Sequence, residues 1–270
     1  MAMTLLLAAS LCASAADLTP VAQGIFARAQ KTVVTVRLVL KMSIGGHDRE
    51  QKVEVIGTVI DPSGLTVLTA AAADPGSFLR AMAQARGGAD RFESTVTETT
   101  LILADGTELE ADLILKDAEL DFAFLRPREP PKGGIDAVAL KPGRALPAPL
   151  EELILVGRYG RAVNRTPWVA ITQVRAVVRG PRTYAVCGAE ADVTGTVAYA
   201  VDGTPAGIFV TRLNRETMEG SRSGIPGVPS GHSGVVILRS IADLMEAAEQ
   251  ARKTKNPPAK GKKEEKDGGR

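Results

Sequence analysis

The chain has 270 residues, 44% of them apolar and 4% aromatic, with a formal charge of +2. That length suffices for one large all-β domain or two small ones around a core of Val, Leu, Ile and Ala. The charge is too near neutral to point to nucleic acid as a partner, and no apolar run reaches the roughly 18 residues of a membrane span.

Residues 1–15 (MAMTLLLAASLCASA) have the apolar centre and the Ala13-Ser14-Ala15 ending of a secretory signal peptide, with the terminal amine as their only positive charge. Export, to the periplasm or beyond, is the expectation. Leu11 stands where a lipoprotein signal needs a small residue before Cys12, so lipidation is not expected. The processed chain would keep one cysteine, Cys187, and no internal disulfide.

Residues 16–31 place Val21, Ile25 and Ala29 at helical spacing and predict an N-terminal helix. The span 32–128 then reads as a run of strands. Thr32–Leu40 and Gln51–Ile60 are β-prone, separated by a turn at Ile44–Asp48 that holds His47. Asp61-Pro62-Ser63-Gly64 is a second turn and Leu65–Thr69 a third strand. An insertion at 75–95 follows, in which Ser77–Arg86 predicts a helix stopped by Gly87-Gly88. Strands resume at Thr97–Leu103, turn at Asp105-Gly106, and continue through Leu109–Lys116 and Leu120–Arg126.

Residues 129–149 form a Pro-rich connector, and 150–252 a second β unit with a closing helix. Its strands are Leu153–Gly157, Trp168–Val178, Val197–Val201, Gly207–Val210 and Val235–Leu238, and Asp202-Gly203 marks a hairpin. Ser240 with Asp243 resembles a capping box for a helix to Arg252 with an Ile241, Leu244, Met245, Ala248 stripe. The tail from Lys253 has no apolar face and is expected to be a solvated, disordered basic segment. Many short strands split by a connector argue for a double β-barrel or sandwich, with no internal sequence repeat.

Four pieces in this order resemble the trypsin-like serine peptidase family, in its HtrA-like branch. Gly57-Thr58-Val59-Ile60 with Val67-Leu68-Thr69 resembles G-S-G-[VF]-I…V-[LV]-T-N-x-H-V. Leu103–Gly106 through Asp117 and Leu120–Leu125 resembles L-x-D-G…A…D…x-D-[IL]-A-[LV]-[LI]. Leu153–Gly160 resembles V-x-A-I-G-x-P-x-G. Asp192-Val193-Thr194-Gly195 resembles the nucleophile loop G-[DN]-S-G-G-P, with Gly203 of the Asp-Gly turn nine residues after position 194. The resemblance covers about Val33 to Ala248 and implies a double six-stranded β-barrel.

It also implies where the chemistry should be, and the sequence departs from it there. The triad-equivalent positions are Ala72, Asp121 and Thr194, so the histidine that would take the nucleophile's proton is an alanine. Thr194 without a base stays protonated and weakly nucleophilic. The oxyanion-loop equivalents are Asp192, Val193 and Thr194; Asp192 places a carboxylate where negative charge would develop, and Thr196 replaces a second glycine. His232-Ser233 in Gly231–Gly234 mimics the nucleophile motif but lacks a following Asp-Gly turn, and reads as a decoy. Cys187 has no histidine placed to pair with it. Two isolated histidines and one remaining cysteine give no metal cluster, and no phosphate loop is present, so neither metal nor cofactor is expected.

The expectation is an exported pseudoprotease that binds a protein or peptide. The alternatives are an active peptidase with a non-standard arrangement and a structural cell-envelope module. No PDZ-like domain follows Arg252, so the substrate-tethering module typical of the HtrA-like branch is not expected, and any oligomer would be built from the barrel and the N-terminal helix alone.

Overall fold

A computed structural model describes residues 17–44, 47–74, 92–142, 144–189, 191–213 and 234–255. The signal-like stretch, the helix expected at Ser77–Arg86, the His232-Ser233 motif and the tail beyond residue 255 lie outside the described residues.

The first barrel comprises β1 (Val33–Ile44), β2 (His47–Val59), β3 (Thr66–Thr69), β4 (Phe92–Ile102), β5 (Glu108–Asp117) and β6 (Phe122–Pro127). The second comprises β7 (Glu152–Arg158), β8 (Pro167–Val178), β9 (Tyr184–Cys187), β10 (Val197–Ala200), β11 (Pro205–Leu213) and β12 (Gly234–Arg239). Three helices accompany them among the described residues: α1 (Thr19–Ala29), α2 (Ala70–Ala73) and α3 (Ile241–Lys253). The first barrel closes in the order β1-β2-β3-β6-β5-β4 and the second in the order β7-β8-β9-β12-β11-β10. Six-strand antiparallel closure of both halves is the double-barrel architecture expected above. The two halves share one winding, although their sequences show no repeat.

The turns are built as their residues dictate. At Asp202-Gly203 the Gly203 amide donates to the Ala200 carbonyl at 2.8 Å, with φ +81° at the glycine, and the Thr204 amide caps the Asp202 carboxylate at 2.9 Å. Two boundaries differ from expectation. β4 begins at Phe92, inside the insertion assigned to 75–95, because Phe92–Thr95 pairs with an extended end of β1 as far as Ile44. The same extension moves His47 out of a loop and into β2, opposite Ile44. β9 was not expected at all, since four residues between loops give no period to read.

Alternate residues of the central strands serve two different cores. Leu153 and Leu155 point into the second barrel, whereas Ile154 and Val156 point into the seam between the barrels. On β6, Ala123 and Leu125 fill the first barrel while Phe122 and Phe124 fill the seam. Strands buried on both faces must be apolar at every position, which is why LDFAFL, LILV and VAYA do not alternate. β8 alternates buried with exposed positions only over Ile171–Arg175, and it leaves apolar Val169 and Ile171 exposed. α1 and α3 seal the seam with Ile25, Ala29, Ile241 and Leu244.

Polar ties cross the same seam. The Arg158 guanidinium on β7 is buried and donates to the carbonyls of Val33 (3.1 Å), Gln30 (2.9 Å) and Arg165 (2.8 Å), fastening the α1–β1 junction to the second barrel. Arg126 on β6 donates to the Ala251 (2.7 Å) and Thr254 (2.8 Å) carbonyls, adding to the Thr254 amide that already reaches Ala251 at 3.2 Å and tying the end of α3 to the first barrel. The other end of α3 is capped by Ser240, whose hydroxyl oxygen accepts from the Asp243 amide at 3.1 Å.

The apolar term dominates this interface. Each fully buried Phe or Ile contributes roughly 1.5–3 kcal/mol, against about 1 kcal/mol for a net hydrogen bond. Phe124→Ala, at a side chain with no exposure, is therefore expected to cost about 3–5 kcal/mol. Arg126→Met should cost about 1–2 kcal/mol, since water can reach part of the freed helix end. Denaturant unfolding of the two variants checks the ranking, and a larger loss for Arg126→Met would contradict it.

Candidate functional site

The site is built where β3, β6 and β11 meet across the seam. Thr69 ends β3 and caps α2, its hydroxyl oxygen accepting from the Ala72 amide at 3.1 Å. The remaining free amides of this turn go to Asp121. The Ala70 amide donates to its carbonyl at 3.0 Å and the Ala71 amide to its Oδ1 at 2.9 Å. Its Oδ2 accepts from the Thr211 amide of β11 at 2.8 Å. One carboxylate thus holds a helix turn of the first barrel and a strand of the second. Asp121 sits at φ +59°, a left-handed conformation that Asp tolerates better than most residues.

Burial pushes the Asp121 carboxyl up to about 6, outweighing the amide donors and the nearby Arg239 charge, which act to lower it. The folded chain therefore binds this proton more tightly than the unfolded chain between about pH 4 and 6. The stability contributed is complete below the ordinary carboxylate range and is lost as pH rises through 6.

The nucleophile-equivalent loop reaches the same place from the second barrel. A 3-10 turn at Ala191–Val193 carries Asp192 exposed and Val193 buried in the barrel core. Thr194 is half-buried. Gly195 follows at φ +87°, its amide donating to Phe209 at 2.8 Å. Its carbonyl accepts from the buried Thr58 hydroxyl of β2 at 2.7 Å, a contact between barrels. A Cβ on Gly195 would lie 2.5 Å from the Ile56 carbonyl oxygen and 3.8 Å from the Leu68 Cα. Position 195 therefore packs against Ile56 of β2 and lies near Leu68 of β3, one residue before Thr69, so the loop, α2 and Asp121 approach the C-terminal end of β3. Thr196 is fully buried, and its hydroxyl donates to the Val193 carbonyl at 2.6 Å, stapling the loop from inside.

At this end of β3, Ala72 offers a methyl group and no proton acceptor. His47 is no substitute: it lies eleven residues along β2 from Thr58, roughly 36 Å of strand path away. Cys187 is buried, and burial pushes its thiol up to about 11, so it remains a protonated core group. Among the described residues no three His, Cys, Asp or Glu side chains gather to share a metal ion, and no helix is long and apolar enough to cross a membrane.

A groove of about 760 Å³ lies elsewhere, between the outer face of β1, β2 and β4 and the Gly160–Arg165 loop. Its main charges already pair, Arg37 with Glu108 and Arg165 with Glu54 at 2.5 Å. Asp121, Thr194 and Thr196 were singled out in the sequence; the roles of Thr58 and Thr211 were not, since their partners lie 137 and 90 residues away along the chain. The only sequence signal for Thr58 was its place in the Gly57–Ile60 motif. No protein-family model matches this chain, and no curated protein matches its sequence.

Two outcomes follow. Asp121→Asn keeps one acceptor but turns an amide donor toward a backbone amide, so it should destabilise the protein. Its stability deficit should shrink by about 3 kcal/mol as pH rises from 4 to 7, the window set by a shift from 3.8 to about 6; pH-dependent melts of both proteins measure this. Gly195→Ala should cost about 1–2 kcal/mol from its φ alone and more from the Ile56 contact, read by denaturant unfolding.

Proposed function

We propose that this is a trypsin-like pseudoprotease domain, exported, that binds a protein or peptide at the old cleft and does not hydrolyse it. The observation that carries the reading is Ala72, a methyl group at the end of β3 beside an Asp121 carboxylate engaged by backbone amides of both barrels. Ala72 carries no imidazole to take the Thr194 proton, and loss of a triad member lowers the rate by orders of magnitude. Asp192, exposed on the adjoining loop, adds a carboxylate that opposes an oxyanion. The insertion expected at 75–95 follows α2 in sequence, and long loops on a rigid scaffold commonly carry binding. The signal-like residues 1–15 support export, and the HtrA-like resemblance of the four motif pieces supports the family reading.

Incubation with a fluorophosphonate and intact-mass measurement is the test. No mass gain is expected after prolonged exposure at neutral pH. Covalent labelling at Thr194, or at Ser233, would overturn the reading and establish a working nucleophile.

A further inference from the structure

A group of basic side chains lies near Asp121, close enough for Arg239 to act on its carboxyl. Arg212 follows Thr211, the residue whose amide grips Asp121. It is exposed, with its guanidinium carbon 4.9 Å from the centre of the Tyr184 ring. Arg239, on the neighbouring strand β12, has its guanidinium carbon 5.9 Å from the same ring. It is 6% exposed, and its Nε and Nη1 have no hydrogen-bond partner; only Nη2 donates, to the Glu119 carbonyl at 3.2 Å. The adjacent Arg182 is already paired, with Glu119 at 2.8 Å and Asp243 at 3.6 Å. Among the described residues, neither Arg212 nor Arg239 forms a salt bridge with a carboxylate.

A buried guanidinium with two unsatisfied nitrogens is costly, and such departures mark functional sites more often than structural ones. Burial is the main cost to the Arg239 charge; Asp243 and Glu119 favour it, while the like charges of Arg212 and Arg182 oppose it. The Tyr184 ring holds Arg212 by cation–π attraction, fixing a planar fork at the surface. Such a fork matches a carboxylate with two parallel hydrogen bonds, while Arg239 supplies a second positive charge beneath it in a poorly solvated layer.

We infer that the Arg212–Tyr184–Arg239 cluster is a subsite for an acidic side chain, Asp or Glu, of a peptide segment lying in the cleft. This deepens the peptide-binding reading and rests on it. The geometry places the acid-recognising fork on β11, directly after the residue that anchors Asp121, so a bound segment would be held in register by one acidic residue.

The full chain, immobilised, is challenged with a synthetic octapeptide library randomised over Glu, Gln, Lys, Leu and Val, and retained peptides are sequenced by mass spectrometry. Glu should exceed Gln by roughly tenfold at one position, the effect of a charge-assisted bidentate contact. Arg212→Gln, at an exposed side chain, should leave the melting temperature unchanged and bring that ratio to about one. Peptides retained without Glu enrichment, or with enrichment unchanged in the variant, would overturn the subsite and leave cleft binding standing. If neither protein retains any peptide, both readings fall together.

Discussion

The Asp121 carboxylate is the point through which the two barrels are held in a fixed relation. One oxygen takes the Ala71 amide of the first barrel and the other takes the Thr211 amide of the second. The apolar seam around Phe122, Phe124, Ile154 and Ile208 provides most of the free energy of association. Hydrophobic contact is non-directional, however, and leaves the relative setting of two curved surfaces loosely specified. The directional ties through Asp121, Thr58 and Arg158 set it. Because the carboxylate is buried it titrates near 6, and the tie is sensitive to pH in a range that few carboxylates reach.

Much of the fold was readable because two-sided burial leaves a strong imprint. Unbroken apolar runs such as Leu153–Val156 marked the strands that face both a barrel and the seam, and Asp-Gly and Asp-Pro-Ser-Gly marked their turns. Ser240 marked the start of α3. Tyr184–Cys187 was missed, being too short to show a period, and the extension of β4 to Phe92 depends on a pairing with β1 that no local pattern reveals. Both barrels wind in the same order, yet their sequences have no visible repeat, because many apolar sequences satisfy the same closure.

The site was legible only in part, and for a physical reason. Ala72, Asp121 and Thr194 were located by resemblance and spacing. The groups that give them their present roles lie 50 to 137 residues away along the chain, as the Ala71–Asp121 and Thr58–Gly195 hydrogen bonds illustrate. The unpaired guanidinium of Arg239 is equally silent in sequence, since its character comes from what surrounds it.

The account stands on Asp121 acting as the shared acceptor of both barrels, and NMR of the backbone amides reads this directly. The Ala71 and Thr211 amide protons should shift together between pH 4 and 8, with one common midpoint near 6. Shifts with different midpoints, or no movement of either amide across that range, would contradict it.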